Sequence, residues 1–483
     1  MITASAFAGK HYAVYGLARS GIATVQALLA SGARVTAWDA KEEARSSLRA
    51  QLVGRGTSVA GGGVTDSVPG PLHHPADGSP PHAAHGEELT IANLDEADLS
   101  QFDSLVVTPG LPLNRHPIAQ RARDAGVEII GDIELFARAR PELPPHKVVG
   151  ITGTNGKSTT TALVHHILKT AGVPTTMGGN IGLPILAQDP LREGGVYVLE
   201  LSSYQIDLTQ SLDCDVAVLL NITPDHLDRY DSFGAYAASK ERLFEMQSAD
   251  HVALIGDDAE CTRLIMANLM DARTRLLPGL PILAPNRVLP ISAELRVDQS
   301  EWLTLQGPHN KQNALAAVLA VRSLDLDERF NEAIDWGVEQ GLRTYPGLPH
   351  RMERIREKDG VLFVNDSKAT NPTATAPALA AFERIRWICG GRAKTDSLDE
   401  CAPHFGHVRK AYTIGEAGEL FASLLSPHMD VSQCQTLERA VGEASAEAVS
   451  GDTVLLSPAC ASFDQFRDFE DRGDQFRALV EGL

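Results

Sequence analysis

The residues with the clearest capacity for chemistry form a glycine-rich loop between an apolar run at 147–152 and a helix-period stretch. Glycines let backbone N–H groups surround phosphate oxygens, and the start of the following helix adds a positive dipole end. We expect the lysine to meet the β- and γ-phosphates of ATP and the serine hydroxyl to meet Mg²⁺. The alternative is a turn that merely caps the helix, because Ile151 stands where the usual longer motif has glycine. The predicted ATP loop consists of Gly153, Thr154, Asn155, Gly156, Lys157, Ser158 and Thr159.

Two later apolar runs end in groups that bind metals. Glu200 follows residues 197–199, and His226 stands in the segment that follows residues 216–221. The carboxyl ends of parallel strands meet at one edge of a sheet, where the phosphate loop also emerges. Carboxylate oxygens suit Mg²⁺. Taken singly, Glu200 also fits a capping residue and His226 a structural histidine, so the metal role depends on their shared position.

A mononucleotide-binding pattern opens the chain. An apolar strand at 11–15 runs into a glycine turn at 16–21, then a helical stretch and a second strand ending at Asp39. Strand, glycine turn, helix and strand with a terminal acid is typical of such units. Ala18 replaces the middle glycine of the dinucleotide fingerprint. An NAD-dependent oxidoreductase built on this segment is therefore disfavoured, and no other hydride-transfer motif is seen.

Bulk composition narrows the class of protein. The 483 residues carry a formal net charge of −19 and six scattered cysteines without a CxxC pair. The acidic balance argues against a nucleic-acid partner. No signal peptide or bilayer-spanning apolar run is recognised, so we expect no membrane partner and a cytoplasmic location. Anionic substrates would then need a few well-placed cations.

The alternation of strands and helices predicts an α/β protein with mostly parallel sheets. Pro-rich joints divide it into three domains, at 1–143, 144–346 and 347–483. We expect Rossmann-like N- and C-terminal domains around a central P-loop ATPase domain, each a mostly parallel sheet with flanking helices. The stretch at 61–88, rich in Gly, Pro and His, is predicted to be a flexible surface insertion.

The motifs taken together resemble the Mur ligases of peptidoglycan synthesis. They occur in order through nearly the whole chain and read GTNGKST, ELSSYQ, NITPDHLDRY, GPHNKQNALAA, PHR, NDSKATNP and SPACASFDQF. GTNGK is shared with folylpolyglutamate synthase. The combination of GGNIG (178–182), ELSS, PHR, NDSKATN and SPACAS is more specific to the branch of the family that adds D-glutamate.

The resemblance implies a monomeric ligase with a UDP-holding first domain, an ATP-holding second domain and an amino-acid-bringing third domain. The L-alanyl carboxylate of UDP-N-acetylmuramoyl-L-alanine would accept the γ-phosphoryl group as an acyl phosphate. The amine of D-glutamate would then attack it and leave an amide. Two Mg²⁺ ions are implied as cofactors.

The resemblance also assigns roles residue by residue. The ATP site is implied to consist of the loop together with Asn310, Asn313, Arg351 and Asp366, and the metal ligands to be Ser158, Glu200, His226 and a carbamylated Lys240. The residues implied to contact the UDP substrate are Arg19, Ser20, Asp39, Gly110, Asn180 and Ser202. Those implied to contact D-glutamate are Lys368, Thr370, Lys394, Ser462 and Phe469.

Plainer interpretations of some of these residues stay open. Lys240 by itself fits an ordinary surface lysine of a helix, Asn313 a helix-start residue and Phe469 a core residue. Arg392 stands where the family has Asp, so it competes with Lys394 as the cation for glutamate. A ligase that uses L-glutamate, and folylpolyglutamate synthase, are the alternatives within ligase chemistry; the latter needs no UDP-binding domain.

Overall fold

The computed structural model describes residues 1–53, 59–60, 89–226, 228–276, 287–292, 298–326 and 330–483. The predicted insertion at 61–88 lies outside the described residues. The chain divides into two compact units. Unit 1 comprises residues 1–154, 172–290 and 322–331, and unit 2 comprises residues 155–171, 291–321 and 332–483. The predicted domain boundaries at 143 and 346 stay a prediction.

The first sheet is parallel throughout its described pairs. Its strand order is β3-β4-β2-β1-β5-β6. The strands are β1 His11–Tyr15, β2 Arg34–Trp38, β3 Val59–Ala60, β4 Leu89–Ile91, β5 Ser104–Val107 and β6 Glu128–Ile130, and the helices are α1 Arg19–Ala30, α2 Glu42–Val53, α3 Pro117–Asp124 and α4 Asp132–Ala139.

The second sheet follows the order β12-β11-β10-β7-β9-β8. Its pairs of described register are parallel. The strands are β7 His146–Thr152, β8 Thr175–Gly179, β9 Gly195–Glu200, β10 Val216–Leu219, β11 Val252–Gly256 and β12 Val288–Ile291, and the next helices along the chain are α5 Lys157–Thr170, α6 Ser203–Asp207, α7 Phe233–Glu245 and α8 Glu260–Leu276.

The third sheet has the order β13-β14-β18-β15-β16-β17. The pair β13–β14 is antiparallel and the other pairs are parallel. The strands are β13 Glu353–Lys358, β14 Val361–Asn365, β15 Ile385–Gly390, β16 Val408–Ile414, β17 Asp430–Gln435 and β18 Thr453–Leu456, and the remaining helices are α9 Pro308–Arg322, α10 Asn331–Thr344, α11 Pro372–Ala380, α12 Gly418–Leu425, α13 Leu437–Glu447 and α14 Phe469–Glu481.

The central strands position the site because they are buried on both faces. Every residue of β9, β10 and β5 is buried, as expected for apolar runs in a parallel sheet covered on both sides. The side chains that follow such strands emerge together at the carboxyl edge of their sheet. This is the mainly parallel α/β architecture that the sequence predicts. Among the described residues, no helix is long and apolar enough to cross a membrane.

Candidate active site

The first half of the phosphate loop is anchored at the end of β7 in unit 1. Thr154 Oγ1 lies 3.1 Å from both the Thr223 carbonyl oxygen and Tyr236 Oη, and it accepts the Thr223 N–H at 3.0 Å. Lys240 Nζ donates to the Gly153 carbonyl oxygen at 3.0 Å. Lys240 is 1% exposed. The interpretation of Lys240 as a surface lysine is therefore wrong, and its position beside the loop agrees with a role in the site.

Glu200 stands at the same edge of the second sheet. It ends β9, and Ile151 in β7 is its partner in the parallel register. Its carboxylate is 2% exposed, and Oε1 accepts from the Asn180 amide at 3.0 Å. Among the described residues, Oε2 is buried without a hydrogen-bond partner. A buried carboxylate oxygen left without a donor is costly, so the position fits a bound hard cation such as Mg²⁺.

His226 lies in a strained turn after β10. Its φ of +54° is in the left-handed region, which is uncommon for a residue with a side chain. The Nε2 atom is 3.5 Å from an Asp225 carboxylate oxygen, and the side chain is 44% exposed. The His226 ring is 6.2 Å from the Tyr236 ring, and Lys240 Nζ is 4.7 Å from the same ring. The structure thus brings both predicted ligands of a second metal around Tyr236.

The predicted UDP-contacting residues of the first sheet surround its glycine turn. The Asp39 carboxylate accepts the Leu17 N–H at 2.7 Å and the Lys41 N–H at 2.8 Å. It therefore ties the end of β2 to the turn after β1. Arg19 donates to the Gly182 carbonyl oxygen at 2.7 Å, close in sequence to Asn180. Ser20 lines a small cavity behind the turn.

Gly110 and Ser202 are engaged by the protein itself. The Gly110 carbonyl oxygen accepts from Arg229 at 3.3 Å. Ser202 is the N-cap of α6, and its hydroxyl forms a reciprocal capping box with Gln205. The cap consumes the Ser202 hydroxyl as donor and acceptor, so a substrate contact there would compete with helix capping.

The second half of the loop belongs to unit 2. Gly156, with φ of +85°, precedes α5, which starts at Lys157. A Cβ at Gly156 would lie 2.2 Å from Asn313 Oδ1, so only glycine allows this approach. Asn313 in turn donates to Asn310 Oδ1 at 3.2 Å, and both are buried. The predicted adenine pair therefore packs against the phosphate loop. Lys157 and Thr159 are partly exposed there, and Asn155 is exposed.

Arg351 and Asp366 extend this half of the site. Arg351 donates to the Ser158 hydroxyl at 2.9 Å across 193 positions of sequence. Asp366 follows β14 and accepts from Ser457 Oγ at 2.8 Å and from the Met352 N–H at 3.1 Å. Burial raises the pKa of the Asp366 carboxyl to about 7, against the lowering effect of these bonds and of Arg351. Asp366 is thus a carboxyl group that titrates near neutral pH.

The residues predicted to bind D-glutamate lie on the third sheet's carboxyl side. Lys368 Nζ is 3.7 Å from the centre of the Phe469 ring, at the start of α14. Ser462 is buried, Thr370 is half-buried and Lys394 is exposed. Phe469 is also only half-buried, so the interpretation as a core residue does not describe it. Arg392 forms an exposed ion pair with Glu416 at 3.1 Å.

Three positions of the site escaped the sequence reasoning. Tyr236 links the loop to His226, and Arg229 holds the backbone around Gly110. Arg472 is fully buried and donates to the carbonyl oxygens of Ser367 at 2.9 Å and Cys460 at 3.1 Å. Arg229 belongs to the motif NITPDHLDRY, and Tyr236 stands four residues before Lys240. Nothing local distinguishes Arg472 from an exposed arginine of a helix.

Comparisons with known proteins find relatives that are similar over the whole length of this chain. The family model of the Mur ligase middle domain matches residues 151–278, and that of the Mur ligase glutamate ligase domain matches residues 350–460. A protein from Novosphingobium aromaticivorans named UDP-N-acetylmuramoylalanine–D-glutamate ligase is 55% identical, covering 100% of this chain and 97% of that one. The protein of that name from Sphingopyxis alaskensis is 53% identical, covering 100% of both chains.

A solved structure shows the same fold at low identity. It is a UDP-N-acetylmuramate–alanine ligase from Thermotoga maritima, 16% identical, with a TM-score of 0.55 over 98% of this chain and 99% of that one. At this identity the likeness supports the α/β architecture alone.

Proposed function

This chain belongs to the Mur ligase family, and on that premise we propose that it joins D-glutamate to UDP-N-acetylmuramoyl-L-alanine with hydrolysis of ATP, in peptidoglycan precursor synthesis. The observation that carries the proposal is the buried Glu200 carboxylate at the sheet edge where the phosphate loop leaves β7. The similarity to the D-glutamate ligases, at 55% and 53% identity over the full length of this chain, supports D-glutamate as the amino acid. We further propose that the enzyme works as a cytoplasmic monomer.

The reaction proceeds by activation of a carboxylate. The L-alanyl carboxylate oxygen attacks the γ-phosphorus of ATP, which releases ADP and forms an acyl phosphate. The amine of D-glutamate adds to the acyl carbon, and the tetrahedral species loses a proton and then inorganic phosphate, leaving the amide. Carboxylate and triphosphate repel each other, so positioning and charge neutralisation supply most of the rate enhancement.

The chain's own residues divide these tasks. The loop from Gly153 to Thr159 holds the triphosphate, with Lys157 at the β- and γ-phosphates. Glu200 and Ser158 would hold one Mg²⁺ ion, and His226 and a carbamylated Lys240 would hold a second. Bound Mg²⁺ would neutralise the phosphate charge as the γ-phosphoryl group transfers.

Lys240 suits this role only after a change of charge. Its ammonium is buried against the neutral oxygens of Gly153 and Thr152. An ammonium group has no lone pair to offer a metal ion, whereas a carbamate on Nζ would place metal-binding oxygens at the same point. This supports the proposed carbamylation.

The amino acid site uses unit 2. D-Glutamate brings two carboxylates, and burying them requires cations or several donors. Lys368 beside Phe469, together with Thr370, Ser462 and Lys394, supplies cations and hydroxyl groups. Arg19, Ser20, Asp39, Gly110, Asn180 and Ser202 are proposed to line the path of the UDP substrate.

Phosphate release by the purified protein tests the function. ATP, Mg²⁺ and UDP-N-acetylmuramoyl-L-alanine are supplied with D-glutamate, L-glutamate or D-alanine, and the product is weighed by mass spectrometry. We expect phosphate and the amide only with D-glutamate, and neither from the Lys157→Ala variant. Equal turnover with L-glutamate would reject the assigned amino acid. No amide with any of these amino acids would reject ligase activity.

A further inference from the structure

Arg229 links two segments that belong to different sheets of unit 1. Its guanidinium donates to the carbonyl oxygens of Leu111 at 2.8 Å, Gly110 at 3.3 Å and Pro109 at 3.5 Å. These three residues form the loop that follows β5 of the first sheet. A planar guanidinium presents several N–H donors in a fixed fork, so one side chain holds three successive carbonyls in place.

The same side chain is held from the second sheet. Its guanidinium carbon lies 4.4 Å from the centre of the Tyr204 ring, in a cation–π contact. Tyr204 is in α6, which directly follows Glu200, Leu201 and the capping Ser202. The backbone N–H of Arg229 donates to the His226 carbonyl oxygen at 2.9 Å and so closes the turn that holds His226 at positive φ.

Other contacts join the same two segments. Asn114 and Arg115 donate to the Asp228 carbonyl oxygen at 3.2 and 2.7 Å. Both segments also line one cavity of about 160 Å³, together with Tyr204 and Arg229. Contacts across this cavity therefore set the distance between the Gly110 loop and the His226 turn.

We propose that Arg229 is a positioning residue that fixes the Gly110 loop, on the UDP-substrate side, against the His226 turn, on the metal side. This inference rests on the proposed function, because that function gives the two segments their ligands. Arg229 touches neither phosphate nor metal in this role. It places the loop so that the substrate's carboxylate end reaches the phosphate loop.

Two variants and a matched control test the inference. We expect Arg229→Ala to raise KM and Kd for UDP-N-acetylmuramoyl-L-alanine about 10- to 100-fold, as for loss of charge-assisted hydrogen bonds, and to leave KM for ATP nearly unchanged. Arg229→Lys keeps the charge but loses the fork and the ring contact, so it should restore little. Arg121→Ala is the control, because Arg121 also binds two backbone carbonyls, those of Leu94 and Ala97, within the first sheet's layer.

The readouts separate positioning from loss of stability. The melting temperature Tm should fall by a similar amount in both alanine variants. KM for UDP-N-acetylmuramoyl-L-alanine should rise only in Arg229→Ala. Unchanged substrate Kd in Arg229→Ala, equal increases in both KM values, or full rescue by Arg229→Lys would overturn the inference. Failure of the wild-type protein to form the amide would instead overturn the proposed function, whereas the Kd comparison still decides the role of Arg229.

Discussion

Asp366 illustrates how a single buried carboxyl group makes the molecule sensitive to pH. It is 7% exposed, and the Ser457 hydroxyl and Met352 N–H are its hydrogen-bond donors. These two bonds and the charges of Arg351 and Arg472 do not offset its burial, so its pKa rises from 3.8 to about 7. Between these values the folded protein binds a proton that the unfolded chain has released. Stability therefore falls as pH rises through this window.

Replacement of Asp366 should remove this dependence. In nucleotide-free protein we expect Asp366→Asn to be near wild type in stability at pH about 4 and more stable at pH about 8, by on the order of 1–3 kcal/mol. The Ser457 hydroxyl can turn toward Thr375 Oγ1, 3.1 Å away, and accept from the new amide. Thermal unfolding across pH measures the difference. The exposed Asp399→Asn change is the control, and parallel pH profiles for both variants would contradict the prediction.

Lys394 and Arg392 are the two candidates for the cation that binds a carboxylate of D-glutamate. Arg392 is already paired with Glu416, whereas Lys394 forms no ion pair among the described residues. We expect Lys394→Ala to raise KM for D-glutamate about 10- to 1000-fold, because truncating one partner of a charge pair leaves a carboxylate uncompensated. KM for ATP should change little. A large effect in Arg392→Ala with none in Lys394→Ala would assign the charge to Arg392 instead.

At the scale of elements, the neighbouring ends of β7, β9 and β8 form a platform that positions the Glu200 carboxylate. Gly179 ends β8 at φ of +84°, and Asn180, the next residue, donates its N–H to the Glu200 carbonyl oxygen at 2.9 Å and its amide to Glu200 Oε1. A Cβ at Gly179 would lie 2.1 Å from that same carbonyl oxygen. Close approach of two backbones therefore decides where the Glu200 carboxylate points.

The close approach of β8 and β9 at Gly179 leads to a specific prediction for Gly179→Ala. The added methyl group must push β8 away from β9, which moves Asn180 off Glu200. We expect a loss of about 2–4 kcal/mol in stability, from left-handed strain plus overpacking, and a lower kcat. Gly172→Ala is the matched control, since Gly172 has φ of +76° with nothing within 4 Å of the added Cβ. It should lose only about 1–2 kcal/mol and keep kcat. Equal effects of the two changes would remove the clash from the explanation.

At the scale of the whole molecule, the site residues are distributed over both compact units. One of the divisions falls between Thr154 and Asn155, within the phosphate loop itself. Glu200, His226 and Lys240 belong to unit 1, and Lys157, Ser158 and Arg351 belong to unit 2. The phosphate loop is therefore one of the places where the chain passes from one unit to the other.

The net charge makes a prediction about the whole molecule. A protein of net charge −19 repels ATP, UDP-N-acetylmuramoyl-L-alanine and D-glutamate at long range. Salt screens this repulsion beyond roughly 10 Å at about 0.1 M ionic strength. At constant free Mg²⁺, we expect kcat/KM for the UDP substrate to rise about two- to five-fold from roughly 10 to 150 mM salt. A steep fall would show that local cations dominate the encounter.

The local pattern of the sequence determined the elements and several site positions. The strand at 11–15 was predicted with the bounds that the structure has, and the second strand, predicted to end at Asp39, ends one residue earlier at Trp38. An apolar run ended by a glycine turn is a short-range signal, because sterics and burial act on neighbouring residues. The same logic placed Glu200 at a strand end beside the loop. The motifs added the family, which the full-length relatives confirm.

Only the tertiary structure decided contacts between residues far apart in sequence. Arg351 reaches Ser158, Asn313 fills the space beside Gly156, and Lys240 is buried under the phosphate loop. No local pattern in the sequence indicates that β13 pairs antiparallel with β14, or that Arg229 contacts the loop that follows β5. Such contacts depend on how separate elements pack, and their spacing along the chain carries no periodic signal. The sequence therefore indicated most of the candidate groups of the site, and packing decided which of them touch.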